Sequence, residues 1–182
     1  MKNRKYKLKF LKNKSFVILL RYLILLGLMF TLPLIYKIFT PLTIYPSVSL
    51  LKLFYDVTIN NLLIVINDKT FIQIIPACIA GSAYLLLLML NLSVPIKLKK
   101  RVYLIFISFF TLLILNILRI FILSVLFHHN FIFFDLTHKL FWYFLSTAFV
   151  VLIWLFIVKN YSIKEIPVYS DVRYLARQTK AN

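Results

Sequence analysis

VYLIFISFFTLLILNILRIFILSVLF, residues 102–127, decides the fold. A helix of roughly 20 residues crosses a hydrocarbon core of about 30 Å, and this run exceeds that length with Arg119 as its single charge. Three other runs have the same character, over residues 16–39, 77–96 and 140–158. The chain has 182 residues, 62% of them hydrophobic and 17% aromatic, with a mean hydropathy of +0.91. Such a composition excludes a water-soluble domain. The expected fold is an all-α integral membrane protein with about four transmembrane helices. A fifth apolar run, residues 50–66, carries Lys52, Asp56, Asn60 and Asn61 and ends at Asn67-Asp68-Lys69. It reads as external, interfacial structure.

Charge orients the spans. Of the 22 Lys and Arg residues, seven lie in residues 1–14, four are Lys97, Lys99, Lys100 and Arg101, and five lie in residues 159–182. Placing these sixteen on one side satisfies the positive-inside pattern and puts both termini in the cytoplasm. The net charge of +17 is then explained by topology and anionic headgroups, so no nucleic-acid partner is expected. The basic and then apolar N-terminus resembles a signal peptide, but its apolar run is too long and no small-residue cleavage site follows it. It reads as an uncleaved first span. The chain is one membrane domain, 1–182, with cytoplasmic tails at 1–15 and 159–182 and an external cap at 40–76.

Within the cap, Pro41 and Pro46 are expected to break the chain after the first span. Residues 47–57 place Leu50, Leu51, Phe54 and Val57 at helical spacing, which suits a short helix lying at the interface. Residues 62–66 and 70–75 are rich in β-branched side chains and flank Asn67-Asp68-Lys69, the pattern of a small β-hairpin. Its edge is suited to receive an extended peptide.

Three residues on three different spans carry chemistry. Cys78 follows Pro76, a residue suited to the first helical position, so the thiol is expected in the first turn of an outward-facing helix whose dipole favours the thiolate. Gly81, among Ala77, Ala80, Ser82 and Ala83, allows close approach of another backbone or a substrate. As the single cysteine, Cys78 is either packing filler or a reactive thiol. Arg119 lies about eight residues, roughly 12 Å, below the outer end of its span. An arginine near mid-membrane costs on the order of 2.5–3.5 kcal/mol on insertion scales, so something compensates or the side chain snorkels. Asn116 shares its helical face. His138 opens the last span among aromatic residues. His128 and His129 lie in the same outer loop, and with Asp135 they match no zinc spacing, so no metal and no other cofactor is expected. A cysteine nucleophile needs its thiolate, a proton carrier and positive charge where an oxyanion develops. Cys78 supplies the thiolate, His138 the proton carrier and Arg119 the positive charge.

Cysteine before a small-residue helix start, Asn116-Ile117-Leu118-Arg119 in the next span and His138 before an aromatic-rich span resemble the exosortase/archaeosortase family of membrane cysteine transpeptidases, over about residues 71–144. The short, Lys/Ile-rich chain is similar to a minimal archaeal version. The resemblance implies an enzyme of the cell membrane that cleaves the C-terminal sorting signal of secreted surface proteins. That signal is a short motif, a transmembrane helix and a basic tail. The acyl group passes through a thioester on Cys78 to an amine, implied to be on a lipid. Catalytic roles then fall to Cys78, Arg119 and His138, with Asn116, Gly81 and His128 supporting. The family cysteine is commonly followed by Ser or Thr and then Gly, whereas Ile79-Ala80-Gly81 follows Cys78 here. Some archaeal members have Arg in place of the histidine. Two readings from other classes compete: a non-catalytic assembly subunit using Arg119 and the small-residue face, and a small transporter in which Arg119 binds an anion.

Overall fold

An unpaired backbone amide or carbonyl in lipid costs several kcal/mol, so an apolar chain closes its hydrogen bonds within helices. The computed structural model, which describes residues 16, 19–94 and 96–161, is mostly helical. Three helices are long and apolar enough to cross a membrane, over Leu19–Leu51, Leu98–His128 and Phe134–Asn160. The basic tails lie outside the described residues, apart from residues 159–161.

The first long helix tightens into a 3-10 turn at Leu28–Thr31 and continues as α1, Leu32–Leu51. It runs straight through Pro41 and Pro46, contrary to the expected break. Each proline removes one amide donor, but ending the helix in an apolar setting would free several groups at once, so continuation costs less. The interfacial helix expected over residues 47–57 is absent for the same reason: Ser47–Leu51 form the end of α1, a turn follows, and Val57 already belongs to a strand.

The expected hairpin is a three-stranded antiparallel sheet in the order β1-β2-β3, with β1 at Val57–Asn60, β2 at Leu63–Ile66 and β3 at Thr70–Gln73. Asn67 and Asp68 both take positive φ, 51° and 54°, within the three-residue turn 67–69 that the Lys69 amide closes on the Ile66 carbonyl at 3.1 Å, a conformation that Asn and Asp tolerate. One face of the sheet is apolar. Ile64, Ile66 and Ile74 are buried with Ile44, Val48 and Leu51 of α1.

The expected span over residues 77–96 is divided. A short helix α2 (Pro76–Ile79) ends at Ala80, which adopts the left-handed conformation (φ 59°, ψ 33°), and α3 (Gly81–Ser93) begins directly after it. Next come α4 (Leu98–His128), α5 (Phe134–Leu140), a π-helical turn (Phe141–Leu145) and α6 (Ser146–Asn160). Tyr84 and Leu87 of α3, Leu104 and Leu112 of α4, and Val150 and Ile157 of α6 share a second core with Ile35 of α1.

The two ends of the bundle differ in chemistry. At one, Arg21 donates to the Ser93 carbonyl (3.2 Å), Arg101 to that of Val94 (2.9 Å) and Lys100 to that of Tyr161 (2.8 Å). These carbonyls close α3 and α6, where the helix macrodipole is negative and attracts cations. The sheet and all three histidines occupy the other end.

Candidate active site

The site is assembled where β3 passes into α2 against α4 and α5. Pro76 occupies the first helical position after extended Ile75, and the Cys78 amide donates to the Ile75 carbonyl at 2.8 Å. The strand-to-helix corner therefore carries Cys78 on its inner turn, and the thiol is partly exposed. The expected long helix behind Cys78 is not there. α2 ends after four residues, so little macrodipole acts on the sulfur, and the 13-residue helix α3 starts only at Gly81. Ala80 holds a conformation that costs a non-glycine residue about 1–2 kcal/mol. Strain of this kind persists where surrounding packing imposes it, and it concentrates at functional sites.

Two residues one turn apart on α4 fix the corner. Asn116, buried, donates its side-chain amide to the Cys78 carbonyl at 2.9 Å. Arg119, also buried, donates from Nη1 to Ser146 Oγ at 3.0 Å. Ser146 passes this on, giving both its hydroxyl (2.8 Å) and its amide to the Phe141 carbonyl that the π-helical turn leaves available. The Asn116 bond also settles the relative depth of Cys78 and Arg119: Cys78 sits level with the Asn116–Arg119 turn, about 14–18 Å along α4 from its end at His128.

His138 approaches from α5. It stacks on Phe134, four residues before it (5.7 Å between centroids, 13° between planes), and meets the edge of Trp142, four residues after it (5.9 Å, 79°). Helical spacing alone brings these three rings together. Cys78, Arg119 and His138 line one cavity of about 260 Å³, whose remaining wall is largely apolar and includes β3, Leu123, Phe127 and Trp142. The volume is close to the lower end of ligand-pocket sizes, about 300–1,000 Å³, and suits a short stretch of chain.

Two of the supporting residues have other tasks. His128 is not part of the cavity wall; it ties the sheet to the end of α4. Asn67 Oδ1 accepts from the Asp56 amide (3.0 Å), which turns Asn67 Nδ2 towards His128 Nε2 (3.3 Å), and Nδ1–H of the same ring then donates to Thr70 Oγ1 (2.8 Å). Tyr55 hydrogen-bonds His129 alongside (2.9 Å). Gly81 does permit a close approach, but the group that approaches is the Tyr36 ring of α1. No group of three or more His, Cys, Asp or Glu among the described residues is arranged to hold a metal.

Sequence reasoning missed Ser146, Phe134 and Trp142; it marked the edge of residues 70–75 for an extended peptide without placing it beside Cys78. The rings are signalled by their four-residue spacing from His138. Ser146 carries only the weak signal of a hydroxyl at the end of an aromatic run. No protein-family model, curated protein or solved structure matches the chain. The functional reading therefore rests on this cavity and on the motifs that line it.

Proposed function

We propose that the protein is a membrane-embedded cysteine transpeptidase of the exosortase/archaeosortase kind, acting on secreted proteins that end in a short motif, a membrane helix and a basic tail. The observation that carries this reading is the convergence of Cys78, Arg119 and His138, from three separate elements, on one cavity. In the reaction, the Cys78 thiolate attacks the scissile carbonyl. Arg119, on the wall of the same cavity, stabilises first the thiolate and then the oxyanion, a role that gains strength in a site poor in water. Collapse breaks the C–N bond while protonated His138 gives its proton to the departing amine, leaving a thioester on Cys78. An acceptor amine, on a lipid in this reading, then attacks the thioester and yields its proton to His138. The thiolate is released and the new amide carries the surface protein.

In this reading the two ends of the bundle face opposite sides of the membrane. The end where Arg21, Lys100 and Arg101 bind helix termini is cytoplasmic, as the positive-inside pattern favours. The cavity and sheet face outside. We count α2 and α3 together as a fourth crossing. Residues 76–93 span about 27 Å at 1.5 Å per residue, close to the core thickness of about 30 Å. At 31 residues, or about 46 Å, α4 outreaches that core at both ends when centred, so in this reading Arg119 lies closer to the headgroups than its distance of about 14 Å from His128 along the helix. The alternative of an assembly subunit loses Gly81 from its small-residue face, because Tyr36 of the same chain already covers it.

The test is membrane proteomics of cells carrying wild type or Cys78→Ala at matched abundance. Intact C-terminal helices and basic tails of secreted single-span proteins accumulate in the variant if the proposal holds. Unchanged processing in the variant would end it.

A further inference from the structure

The pairing of β3 determines which of its backbone groups stay open. Ile72 pairs with Ile64 on β2, and the Ile74 amide donates to the Leu62 carbonyl at 2.8 Å. Backbone groups alternate in direction along an antiparallel strand. Thr70, Ile72 and Ile74 therefore turn theirs to β2, while Phe71, Gln73 and Ile75 turn theirs away. The Ile75 carbonyl is taken by the Cys78 amide. Five groups remain on the free edge: the amides of Phe71, Gln73 and Ile75 and the carbonyls of Phe71 and Gln73. None bonds another backbone group among the described residues. Natural proteins blunt exposed strand edges with lysine, proline or bulges. Here residues 71–75, Phe-Ile-Gln-Ile-Ile, contain no lysine or proline. The same five residues line the cavity that holds Cys78. The open edge is thus a wall of the candidate active site, ending three residues upstream of Cys78.

We propose that the substrate binds as a fourth strand, paired in parallel with β3, and is carried along that edge past Ile75 to place its scissile carbonyl at Cys78. This rests on the transpeptidase reading and adds the mode and direction of recognition to it. The direction follows from the chain itself. β3 runs through Pro76 into α2 and α3, an extended segment followed by helix, and a substrate with an extended motif followed by a membrane helix runs in the same sense. Main-chain bonds then supply affinity without regard to sequence, and alternate side chains supply selectivity. Side chains on the same face as Ile72 and Ile74 meet the apolar layer formed with Ile120 of α4, and those on the face of exposed Phe71 and Gln73 point away from it. The preferred motif accordingly alternates, with apolar residues at every second position.

The experiment uses the full-length Cys78→Ala protein in nanodiscs and a library of short random peptides, each fused to a Leu/Ala helix of about 20 residues and a lysine-rich tail. Selected binders are resynthesised with single backbone N-methyl groups. Affinity is expected to fall about 5- to 10-fold per methyl group at alternate residues, the loss of one backbone hydrogen bond, and to hold at the residues between. Gln73→Pro removes an open amide while sparing the ladder to β2, and is expected to weaken binding by a similar factor. A photo-crosslinker near the start of the peptide segment labels close to Phe71, and one near its end labels close to Ile75. The proposal is overturned by a library without binders, by a flat N-methyl profile, by the reverse order of labelling, or by β3 edges of two copies crosslinking to each other. Incubating the same peptides with wild type separates the two claims. Cleavage with a flat profile removes strand addition alone, and an alternating profile without acylation of Cys78 removes the transpeptidase reading alone.

Discussion

Gly81→Ala tests whether the corner that carries Cys78 is held by close contact between α1 and α3. A Cβ at residue 81 would lie 2.5, 2.6 and 2.9 Å from Cε1, Cζ and Cδ1 of Tyr36. Carbon atoms in good contact are about 3.5–4.0 Å apart, so the new methyl intrudes by roughly 1 Å, and either the ring or the corner must move. Overpacking of this size costs about 1–3 kcal/mol. Against it stands the better helix propensity of alanine, worth up to about 1 kcal/mol; Gly81 has no positive φ that alanine would resist. The balance is a loss of about 1–2 kcal/mol. In a Tyr36→Ala background the clash is gone and only the propensity remains, so the same substitution becomes neutral or stabilising by up to about 1 kcal/mol. The assay is unfolding of the purified protein by SDS titration in mixed micelles, run as a double-mutant cycle. An equal effect of Gly81→Ala in both backgrounds would refute the contact. If the corner moves instead of the ring, Cys78 shifts with it, and a displacement of about 1 Å costs up to about 100-fold in turnover.

Ala80→Gly relieves the left-handed strain and raises stability by about 1 kcal/mol in the same SDS titration, whereas Ala80→Val lowers it. Asn116→Leu keeps the bulk but leaves the Cys78 carbonyl without its donor, a loss of about 1–3 kcal/mol; single-turnover kinetics should show acylation slowed about tenfold or more with peptide affinity retained. His128→Ala removes the bonds to Asn67 and Thr70 that clamp the sheet. With about 1–2 kcal/mol lost, hydrogen exchange in β3 speeds up by about 5- to 30-fold, while the Arg119–Ser146 bond is unaffected.

The long helices were legible because each is an unbroken apolar run, and the β2–β3 turn because Asn67-Asp68 flanked by β-branched residues admits few other readings. The boundaries that failed have one cause. Pro41, Pro46 and the helical spacing of Leu50, Phe54 and Val57 are local signals, and the backbone's demand for hydrogen bonds in an apolar setting overrode them. β1 was hidden by that misplaced helix. At the site, helical spacing reveals Asn116 with Arg119 and His138 with its two rings. The Cys78 corner is different. Its four-residue helix and the left-handed Ala80 lie beside Gly81, on which Tyr36, distant in sequence, packs, and no local pattern encodes that contact. The partnership of Arg119 with Ser146 likewise depends on a π-helical turn that periodicity does not reveal.

The central claim is that the sulfur of Cys78 carries the acyl group. The most direct measurement is the mass of the Cys78-containing peptide after the full-length protein in nanodiscs has met a selected substrate peptide and been quenched in acid. The account predicts an adduct on Cys78 equal in mass to the N-terminal portion of the substrate. Hydroxylamine releases it, it is absent in Cys78→Ala and it is diminished in Arg119→Lys. Cleaved product with no adduct at Cys78, accompanied by undiminished cleavage in Cys78→Ala, would contradict it.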